Sequence, residues 1–422
     1  MTVPDLKAVV PFFQPIIKTS DLGVFGYEVL ARELHDGKIR SLGPYFEDPA
    51  VSDQDKLILD ICVRERAFAA YAASGSTAKL FINLKPSWVY DDKEQNTPQA
   101  ILSMLDRYRI DPQNIVVEVT EEELLGDSEV FGKLLTVYRK AGCMLAIDDF
   151  GKGESSVERI AHVMPDIIKL DHSIVRKTDT HRSFYEICRA MGFFGDISGF
   201  DLLFEGVETP FQLERCVRTG WCYVQGYVFS PARPGFETDY ANRDLLADIL
   251  TIDEVRQECY RKQRDEILAE MESEVERLRS LLPLVPDASV APASAVGSDF
   301  YVCADNSEVA KAWREPGALE AFAKELPYYC VRCCVCDQKG RRLSNIYQLG
   351  GDGTARPLGG ASPAEISSGV FRRGMNVLHG KGLGYLSDPY KNVATKENVA
   401  TYMHRLCQDR LLCVDIISTA FI

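Results

Sequence analysis

Short apolar runs alternate with longer amphipathic stretches along the first 240 residues, and this alternation sets the predicted fold. The short runs have the length and composition of buried strands, whereas the longer stretches repeat their apolar positions at helical spacing. Strand–helix alternation of this kind is typical of a parallel α/β domain. After an opening β-hairpin at 9–17 and 24–30, strands are predicted at 79–83, 115–120, 143–149, 167–170, 202–205 and 222–225, and helices at 56–73, 130–140, 181–191 and 210–219.

A polar or charged side chain stands at or near the end of every strand predicted after the hairpin. The carboxyl ends of parallel strands meet on one face of such a domain, so we expect these side chains to converge. A TIM-like (β/α)8 barrel offers enough strands to collect them. Each residue alone can be explained as a turn or surface residue, but their repetition is hard to explain by chance. The strand-end residues are Asn83, Glu118, Asp148 with Asp149, Lys169, Glu205 and Gln225.

Asp148 and Asp149 are adjacent at the end of one predicted strand. Two carboxylates this close raise each other's pKa unless a cation neutralises them. Hard oxygen ligands of this kind suit Mg²⁺, Mn²⁺ or Ca²⁺. An ordinary acidic strand-to-loop turn is the commoner origin of such a pair, so the pair alone leaves both interpretations open.

The composition indicates a two-domain globular protein that does not bind a nucleic-acid polymer. A chain of 422 residues exceeds the usual size of one domain, and 46% apolar residues suffice for a sizeable core. A formal net charge of −14 argues against non-specific nucleic-acid binding but allows a small anion held by a metal and local cations. No apolar run reaches membrane-spanning length and the first residues lack a signal-peptide pattern, which predicts a cytoplasmic protein without membrane insertion.

Several short motifs follow one another in order through this first part of the chain. Together they resemble the EAL family of cyclic di-GMP phosphodiesterases, over roughly the first 240 residues. The family's signature tripeptide reads Glu28-Val29-Leu30 here, a change that keeps the carboxylate. The motifs are Phe13-Gln-Pro-Ile16, Gly26-Tyr-Glu28-Val-Leu-Ala-Arg32, Phe81-Ile-Asn83, Glu118-Val-Thr-Glu121, Asp148-Asp-Phe-Gly151, Ile168-Lys-Leu-Asp171, Glu205-Gly-Val-Glu208 and Gln225-Gly-Tyr227.

The resemblance implies a barrel enzyme that hydrolyses cyclic di-GMP to the linear dinucleotide pGpG with two Mg²⁺ or Mn²⁺ ions. Two metal ions lower the pKa of a bridging water and stabilise the in-line transition state at phosphorus. The implied ligands are Glu28, Asn83, Glu118 and Asp148 for one ion, and Asp149 and Glu205 for a second ion or its waters.

The resemblance also implies roles for residues that do not bind a metal. Lys169 would orient or deprotonate the attacking water, with Glu205 and Gln225 as further catalytic groups around that water. Arg32 would contact a substrate phosphate. The supporting residues would be Glu121, which holds the loop 150–156, together with Asp171 and Glu208.

The loop after the two aspartates departs from the family pattern. The family commonly has DFGTGYSS, whereas this chain has Asp149-Phe-Gly-Lys152-Gly-Glu154-Ser-Ser. The family couples this loop to metal occupancy and activity, so two functions stay open. The first is an active phosphodiesterase, and the second is a cyclic di-GMP receptor that has lost turnover. Lys152 could pair with Glu154 or with a substrate phosphate.

A charged helical stretch at 244–282 follows the barrel and leads to a smaller domain. Its apolar positions alternate three and four residues apart, which is typical of a coiled-coil seam of about two heptads. A signalling helix that pairs in a homodimer is the preferred interpretation, and an amphipathic helix packed on its own domain is the alternative. The seam residues are Leu268, Met271, Val275, Leu278 and Leu282, and the predicted domains are the barrel 1–240, a helical linker 241–298 and a sensor domain 299–422.

The last part of the chain predicts a small α+β domain. A strand at 328–336, a turn and a returning strand at 343–349 indicate a hairpin, and a further strand is predicted at 411–417. Tyr385-Leu-Ser-Asp-Pro-Tyr390-Lys and Cys413-Val-Asp-Ile416 resemble PAS/Cache-type sensor domains. This resemblance implies an unknown small ligand or protein partner for the domain.

Four cysteines lie close together in the strand predicted at 328–336. Cys330 and Cys333 have CxxC spacing, which could bind zinc or act in redox chemistry. An extended strand places Cys330, Cys334 and Cys336 on one face and Cys333 on the other. Because no matching distal pair follows, small apolar strand cysteines are the favoured interpretation.

Overall fold

The structure is a computed structural model that describes residues 4–35, 37–85, 98–120, 128–152, 157–278, 317–338, 342–350, 353–358, 368–380, 384–392, 397–407 and 410–421. The chain forms two compact units, Met1–Glu254 and Val255–Ile422. Among the described residues, no helix is both long enough and apolar enough to cross a membrane.

The first unit contains a closed eight-stranded barrel. Its strands are β1 (Val9–Lys18), β2 (Gly23–His35), β4 (Lys79–Asn83), β5 (Ile115–Thr120), β6 (Met144–Phe150), β7 (Ile167–Leu170), β8 (Asp201–Phe204) and β9 (Tyr223–Val224), with β3 (Lys38–Ser41) added at the edge of β2. The order β1-β9-β8-β7-β6-β5-β4-β2 closes because β1 also pairs with β2. β1 is antiparallel to both neighbours, and the remaining pairs around the barrel are parallel. The predicted barrel is confirmed, with one reversed strand.

Helices surround this barrel. Helix α2 (Asp53–Ser74) begins after the N-cap Ser52, whose side chain accepts a hydrogen bond from the Asp55 amide, and ends before Gly75 in the left-handed conformation. Helix α8 (Pro210–Val217) begins with a capping box between Thr209 and Gln212. The helices are α1 (Gly43–Glu47), α2 (Asp53–Ser74), α3 (Pro98–Tyr108), α4 (Ser128–Ala141), α5 (Val157–Val163), α6 (His172–Lys177), α7 (Arg182–Ser198) and α8 (Pro210–Val217), followed by the long helix α9 (Arg243–Leu278).

One apolar layer fills the barrel interior just below the strand-end residues. Each strand from β4 to β9 contributes one buried side chain to it: Phe81, Val116, Ala146, Ile167, Leu203 and Tyr223. Side chains that share a face recur every second residue, so the residue two positions later also points into the barrel. Those residues are Asn83, Glu118, Asp148, Lys169, Glu205 and Gln225. Because of this two-residue repeat, a polar layer lies directly on the apolar layer inside the barrel.

The second unit is built on an antiparallel sheet. Its strands are β10 (Cys330–Asp337), β11 (Tyr347–Leu349), β12 (Ala355–Pro357), β13 (Gly384–Leu386), β14 (Tyr390–Lys391), β15 (Asn398–Cys407) and β16 (Arg410–Ile417), in the order β12-β11-β10-β16-β15-β13 with β14 paired to β15. Its helices are α10 (Ala318–Lys324) and α11 (Ser368–Gly380). The predicted smaller α+β domain is confirmed.

The predicted coiled-coil seam on α9 packs within this second unit. Met271, Val275 and Leu278 are buried in the same core cluster as strands β10 and β16, with Leu268 packed against it. Leu282 lies outside the described residues. The described seam residues are therefore not exposed for pairing with a second helix, and the arrangement is the alternative of an amphipathic helix on its own domain.

The cysteines of β10 are strand residues, but one lies on an unexpected face. Cys330, Cys333 and Cys336 are buried, and burial raises the pKa of the Cys330 and Cys333 thiols. The pairing of β10 with β16 shifts register between Cys330 and Arg332, which indicates a bulge. Cys330 consequently packs with Cys333, not with Cys334 and Cys336. The strict alternation assumed from the sequence was wrong at this bulge.

Candidate active site

Lys169 lies at the centre of the polar layer. Its Nζ is 2.6 Å from Glu118 Oε1, 2.8 Å from Glu205 Oε1, 2.9 Å from Asp148 Oδ1 and 3.8 Å from Glu28 Oε1. The five side chains come from five strands, β2, β5, β6, β7 and the end of β8. Barrel closure therefore brings together residues that are up to 177 positions apart, from Glu28 to Glu205.

The charges of this cluster do not balance. Glu28, Glu118, Asp148 and Glu205 carry four negative charges against one on Lys169, which leaves a formal charge of −3 when all are ionised. Burial raises the pKa of Glu118 and of Glu205 well above the usual range, although Lys169 opposes the shift. Burial disfavours the Lys169 ammonium, but the surrounding carboxylates outweigh it and raise the lysine pKa. Unbalanced buried carboxylates are stabilised by further positive charge.

Asp148 and Asp149 reach the same site because the strand is irregular between them. The pairing of β6 with β7 shifts register between Ile147 and Phe150, and Asp149 has a positive φ of 55°. Asp is one of the few residues that adopt this left-handed conformation. As a result, single oxygens of Asp148, Asp149 and Glu205 all lie within 4.8 Å of one another.

The donor set fits a divalent cation. Glu118 Oε2 and Gln225 Oε1 are buried and accept no hydrogen bond from any residue that the structure describes. Gln225 is held in place because its Nε2 donates to Glu28 Oε2 at 2.6 Å. The next residue, Gly226, packs so closely that an added Cβ would lie 2.0 Å from the Val207 carbonyl oxygen. Carboxylate and amide oxygens with surplus negative charge are the donors that Mg²⁺ and Mn²⁺ take.

A cavity of about 490 Å³ opens beside this cluster. Glu28, Asn83, Asp148 and Asp149 line one part of it. The wall also carries four cationic side chains, namely Arg32, Arg64, Lys85 and Lys152. A cavity with acidic side chains at one end and cationic side chains on its wall suits a metal-bound, phosphate-bearing ligand of low molecular weight.

Asp60 and Arg64 line the cavity but were not predicted as site residues. Both are on α2, where they are bonded to each other. Burial raises the pKa of Asp60, while Arg64 and then Lys85 lower it. A sequence signal existed: the two charges are four residues apart on the helical stripe that contains buried Val63 and Ala67. Charges on a buried stripe indicate a pair or a site.

The structure brings most of the predicted residues into this one region, but not all. Asp171 is buried at the N-cap of α6; burial opposes its ionisation, but hydrogen bonds from Ser173 and His172 lower its pKa. Glu208 is exposed. Its backbone amide donates a hydrogen bond to the Gln212 side chain, so the contact that the structure describes is at the N-terminus of α8. Glu121 and Glu154 lie outside the described residues. Lys152 pairs with Asp149, with Nζ 3.3 Å from Oδ2.

Comparison with known proteins gives a consistent family. A family model described as EAL domain matches residues 4–232. The uncharacterized EAL-domain containing protein YkuI of Bacillus subtilis is 25% identical over 423 residues, which cover 98% of this chain and 95% of that protein. The cyclic di-GMP phosphodiesterase RocR of Pseudomonas aeruginosa is 28% identical over 226 residues, 53% of this chain and 57% of RocR. This chain thus spans little more than half of RocR.

A solved structure has the same fold along the whole chain. It is the crystal structure of the Bacillus subtilis YkuI protein, described as a complex with substrate c-di-GMP and calcium. The similarity covers 98% of this chain and 97% of that one, with a TM-score of 0.74 and 24% identity. The barrel and the second sheet therefore both have a counterpart in a known structure.

Proposed function

This chain belongs to the EAL domain family, and we propose on that basis that it hydrolyses one phosphodiester bond of cyclic di-GMP to give the linear dinucleotide pGpG. The observation that carries the proposal is the convergence of four carboxylates on buried Lys169 beside a cavity with a cationic wall. The RocR relative carries the same activity in its name.

We propose Mg²⁺ or Mn²⁺, with two ions, as the cofactor of this reaction. Glu28, Asn83, Glu118 and Asp148 would hold one ion, and Asp149 with Glu205 would hold the other. Bound metal supplies a nucleophilic water at neutral pH and neutralises the phosphate. The buried Glu118 Oε2, which has no partner among the described residues, supports this assignment.

The side chains of the polar layer handle the water and its proton. A water oxygen attacks phosphorus, the bond from phosphorus to one ribose O3′ breaks, and that oxygen leaves with a proton. Glu205 Oε1 takes the proton of the attacking water, and the Lys169 ammonium, with its Nζ 2.8 Å from that oxygen, orients the water. Gln225, fixed by its bond to Glu28, orients the water, and Arg32 contacts a phosphate from the cavity wall.

The test is hydrolysis by the purified full chain with Mn²⁺ or Mg²⁺. We expect pGpG from the native protein, and a rate at least about 100-fold lower for Glu28→Gln and for Lys169→Met. Lys140→Met, on the exposed end of α4, serves as the control and should keep the native rate. Nucleotide binding without any pGpG from the native protein would contradict the enzyme and leave the receptor.

One observation favours the receptor as a second candidate. Lys152 forms an ion pair with Asp149, a proposed metal ligand, at a position where the family pattern has threonine. A cation at that place opposes binding of a second metal ion. A receptor would bind cyclic di-GMP without hydrolysing it. Neither variant above could then lose activity, because the native protein has none.

We propose that Asp60 recognises a guanine base. Its Oδ2 accepts a hydrogen bond from Arg64, and the residue lines the cavity. Guanine presents the N1–H and N2–H donors side by side, and a carboxylate accepts both, whereas adenine offers an acceptor at N1 and has no 2-amino group. Asp60 would therefore favour cyclic di-GMP over cyclic di-AMP.

Asp60→Asn tests this assignment through binding. Removing a charged hydrogen-bond acceptor should weaken cyclic di-GMP binding by about 10- to 100-fold, or roughly 1.5–3 kcal/mol, and affect cyclic di-AMP far less. Glu65→Gln, on the outer side of the same helix, should bind as the native chain does. An equal loss for both nucleotides would mean that Asp60 supports the fold of the cavity and does not read the base.

We also propose that the second unit is a PAS/Cache-like sensor that regulates hydrolysis. Arg332 supports this role: it is buried, bonds Asp415 and Glu397 through Nε and Nη1, and its Nη2 has no acceptor among the described residues. Such a donor suits an acceptor on a small ligand. An unchanged hydrolysis rate in a folded Arg332→Met variant would contradict regulation through this residue.

A homodimer in the cytoplasm completes the proposal. The cysteines that the structure describes are free thiols, which suits a reducing compartment. Because the described seam residues of α9 are buried in the second unit, a dimer would have to use another surface. Light scattering that reports a monomer at working concentration would contradict the dimer.

A further inference from the structure

Lys152 lies beside the proposed second metal position. Its Nζ is 3.3 Å from Asp149 Oδ2, and both side chains line the cavity. Asp149 in turn groups with Asp148 and Glu205, because one oxygen of each lies within 4.8 Å of the others. We propose that the Lys152 ammonium acts as an internal cation on Asp149, so that this chain holds one divalent ion tightly and a second one weakly. This inference rests on the proposed metal-dependent function and specifies its metal stoichiometry.

The pairing is built into the local backbone. The Lys152 amide donates to the Asp149 carbonyl oxygen at 3.2 Å, which closes a turn over Phe150 and Gly151. Gly151 has a φ of 92°, and an added Cβ there would lie 2.1 Å from the Ile174 side chain. The turn is thus held against α6, and it places Lys152 on the Asp149 side.

The ligands of the two proposed ions differ in their burial, and Asp149, a ligand of the second ion, contacts Lys152. Glu118 is fully buried behind Lys169, whereas Asp149 and Lys152 have 36% and 55% of their side chains exposed. A partly exposed ion pair is weak, but the ammonium both occupies a carboxylate oxygen and repels a divalent cation nearby. Together these effects should weaken binding of the second ion by roughly tenfold and leave the affinity for the first ion almost unchanged.

The alternative role for Lys152 is a contact with a substrate phosphate, because the side chain also lines the cavity. The two roles separate by experiment. A lysine that opposes metal binding changes the Mn²⁺ isotherm in the absence of nucleotide. A lysine that binds phosphate changes only the affinity for cyclic di-GMP.

The experiment is a Mn²⁺ titration of the full chain without nucleotide. Binding is measured by calorimetry and by the electron paramagnetic resonance signal of free Mn²⁺. The native chain should show one tight and one weak site. Lys152→Thr should tighten the weak site about tenfold, Lys152→Arg should behave as the native chain, and Lys140→Thr serves as the exposed-lysine control. Asp149→Asn should remove the second site in both the native and the Lys152→Thr background.

Three results would overturn the inference. Identical isotherms for the native chain and Lys152→Thr would show that the lysine does not act on the metal. Two tight sites in the native chain would refute the stoichiometry while leaving the proposed hydrolase intact. No Mn²⁺ binding in any variant would overturn the metal-dependent function itself, together with this inference.

Discussion

Lys169 neutralises part of the charge of the buried carboxylates around it. Its ammonium group is fully buried and lies within 3 Å of three carboxylates, on Glu118, Asp148 and Glu205. Without the lysine, each carboxylate would carry an uncompensated charge in a largely buried region. The lysine therefore contributes to folding as well as to the proposed reaction.

Lys169→Met should destabilise the chain as well as abolish hydrolysis. Removing one partner of a buried ion pair costs about 3–5 kcal/mol, because the charges left behind stay desolvated. Urea unfolding at neutral pH, without divalent cations, measures the change. The exposed Lys140→Met should unfold as the native chain does, and an unchanged midpoint for Lys169→Met would contradict the central role of the lysine.

Asp149 allows backbone conformation and charge to be tested separately. Its left-handed backbone is tolerated by Asn but costs a β-branched residue about 1–2 kcal/mol. Asp149→Asn should thus keep the native unfolding midpoint, whereas Asp149→Val should be less stable by roughly that amount. Both variants lose the charge, so both should lose hydrolysis. Equal stability of the two would mean that the bulge relaxes in solution.

At the scale of elements, helix α9 shows how one pattern supports two structures. Apolar residues three and four apart fit a coiled coil and an amphipathic helix on a sheet equally well. What distinguishes the two is the partner surface, which here is the core of the second unit. Burial along the helix is correspondingly uneven, with Val275 fully buried and Val255 58% exposed.

These two valines provide a matched test. Val275→Ala should destabilise the second unit by about 2 kcal/mol, from lost burial and a residual cavity. Val255→Ala should stay within about 0.5 kcal/mol of the native chain. Denaturant unfolding followed by circular dichroism gives both values. If Val275→Ala changed the oligomeric state and not the stability, the seam would be an interface between chains.

At the scale of the whole molecule, metal binding should stabilise one unit selectively. The two units have separate hydrophobic cores, and the proposed ligands belong to the first. Mn²⁺ at 100 times its dissociation constant should stabilise that unit by about 2.7 kcal/mol, a rise in Tm of roughly 5–10 °C. Glu118→Gln should lose the shift, and EDTA should reverse it in the native chain. A shift of equal size in both unfolding transitions would contradict the assignment.

The strand pattern determined much of this protein before any tertiary contact was considered. Residues on one face of a strand recur every second position, so apolar runs such as the one ending at Asp148 specified both the strand and the polar residue at its end. That is why β4, β5 and β7 lie where the pattern predicts them. It is also why seven strand-end residues could be named as one group.

Only the tertiary structure decided which of these groups meet, because that depends on barrel closure and on local irregularities. Closure placed Lys169 against four carboxylates and turned Asp60 of α2 towards the cavity. The bulge at Asp149 joined two neighbouring carboxylates in one site, and the turn that follows paired Lys152 with one of them. Residue spacing reveals the two-residue period of a strand, but it does not specify the distances between elements that are far apart in sequence.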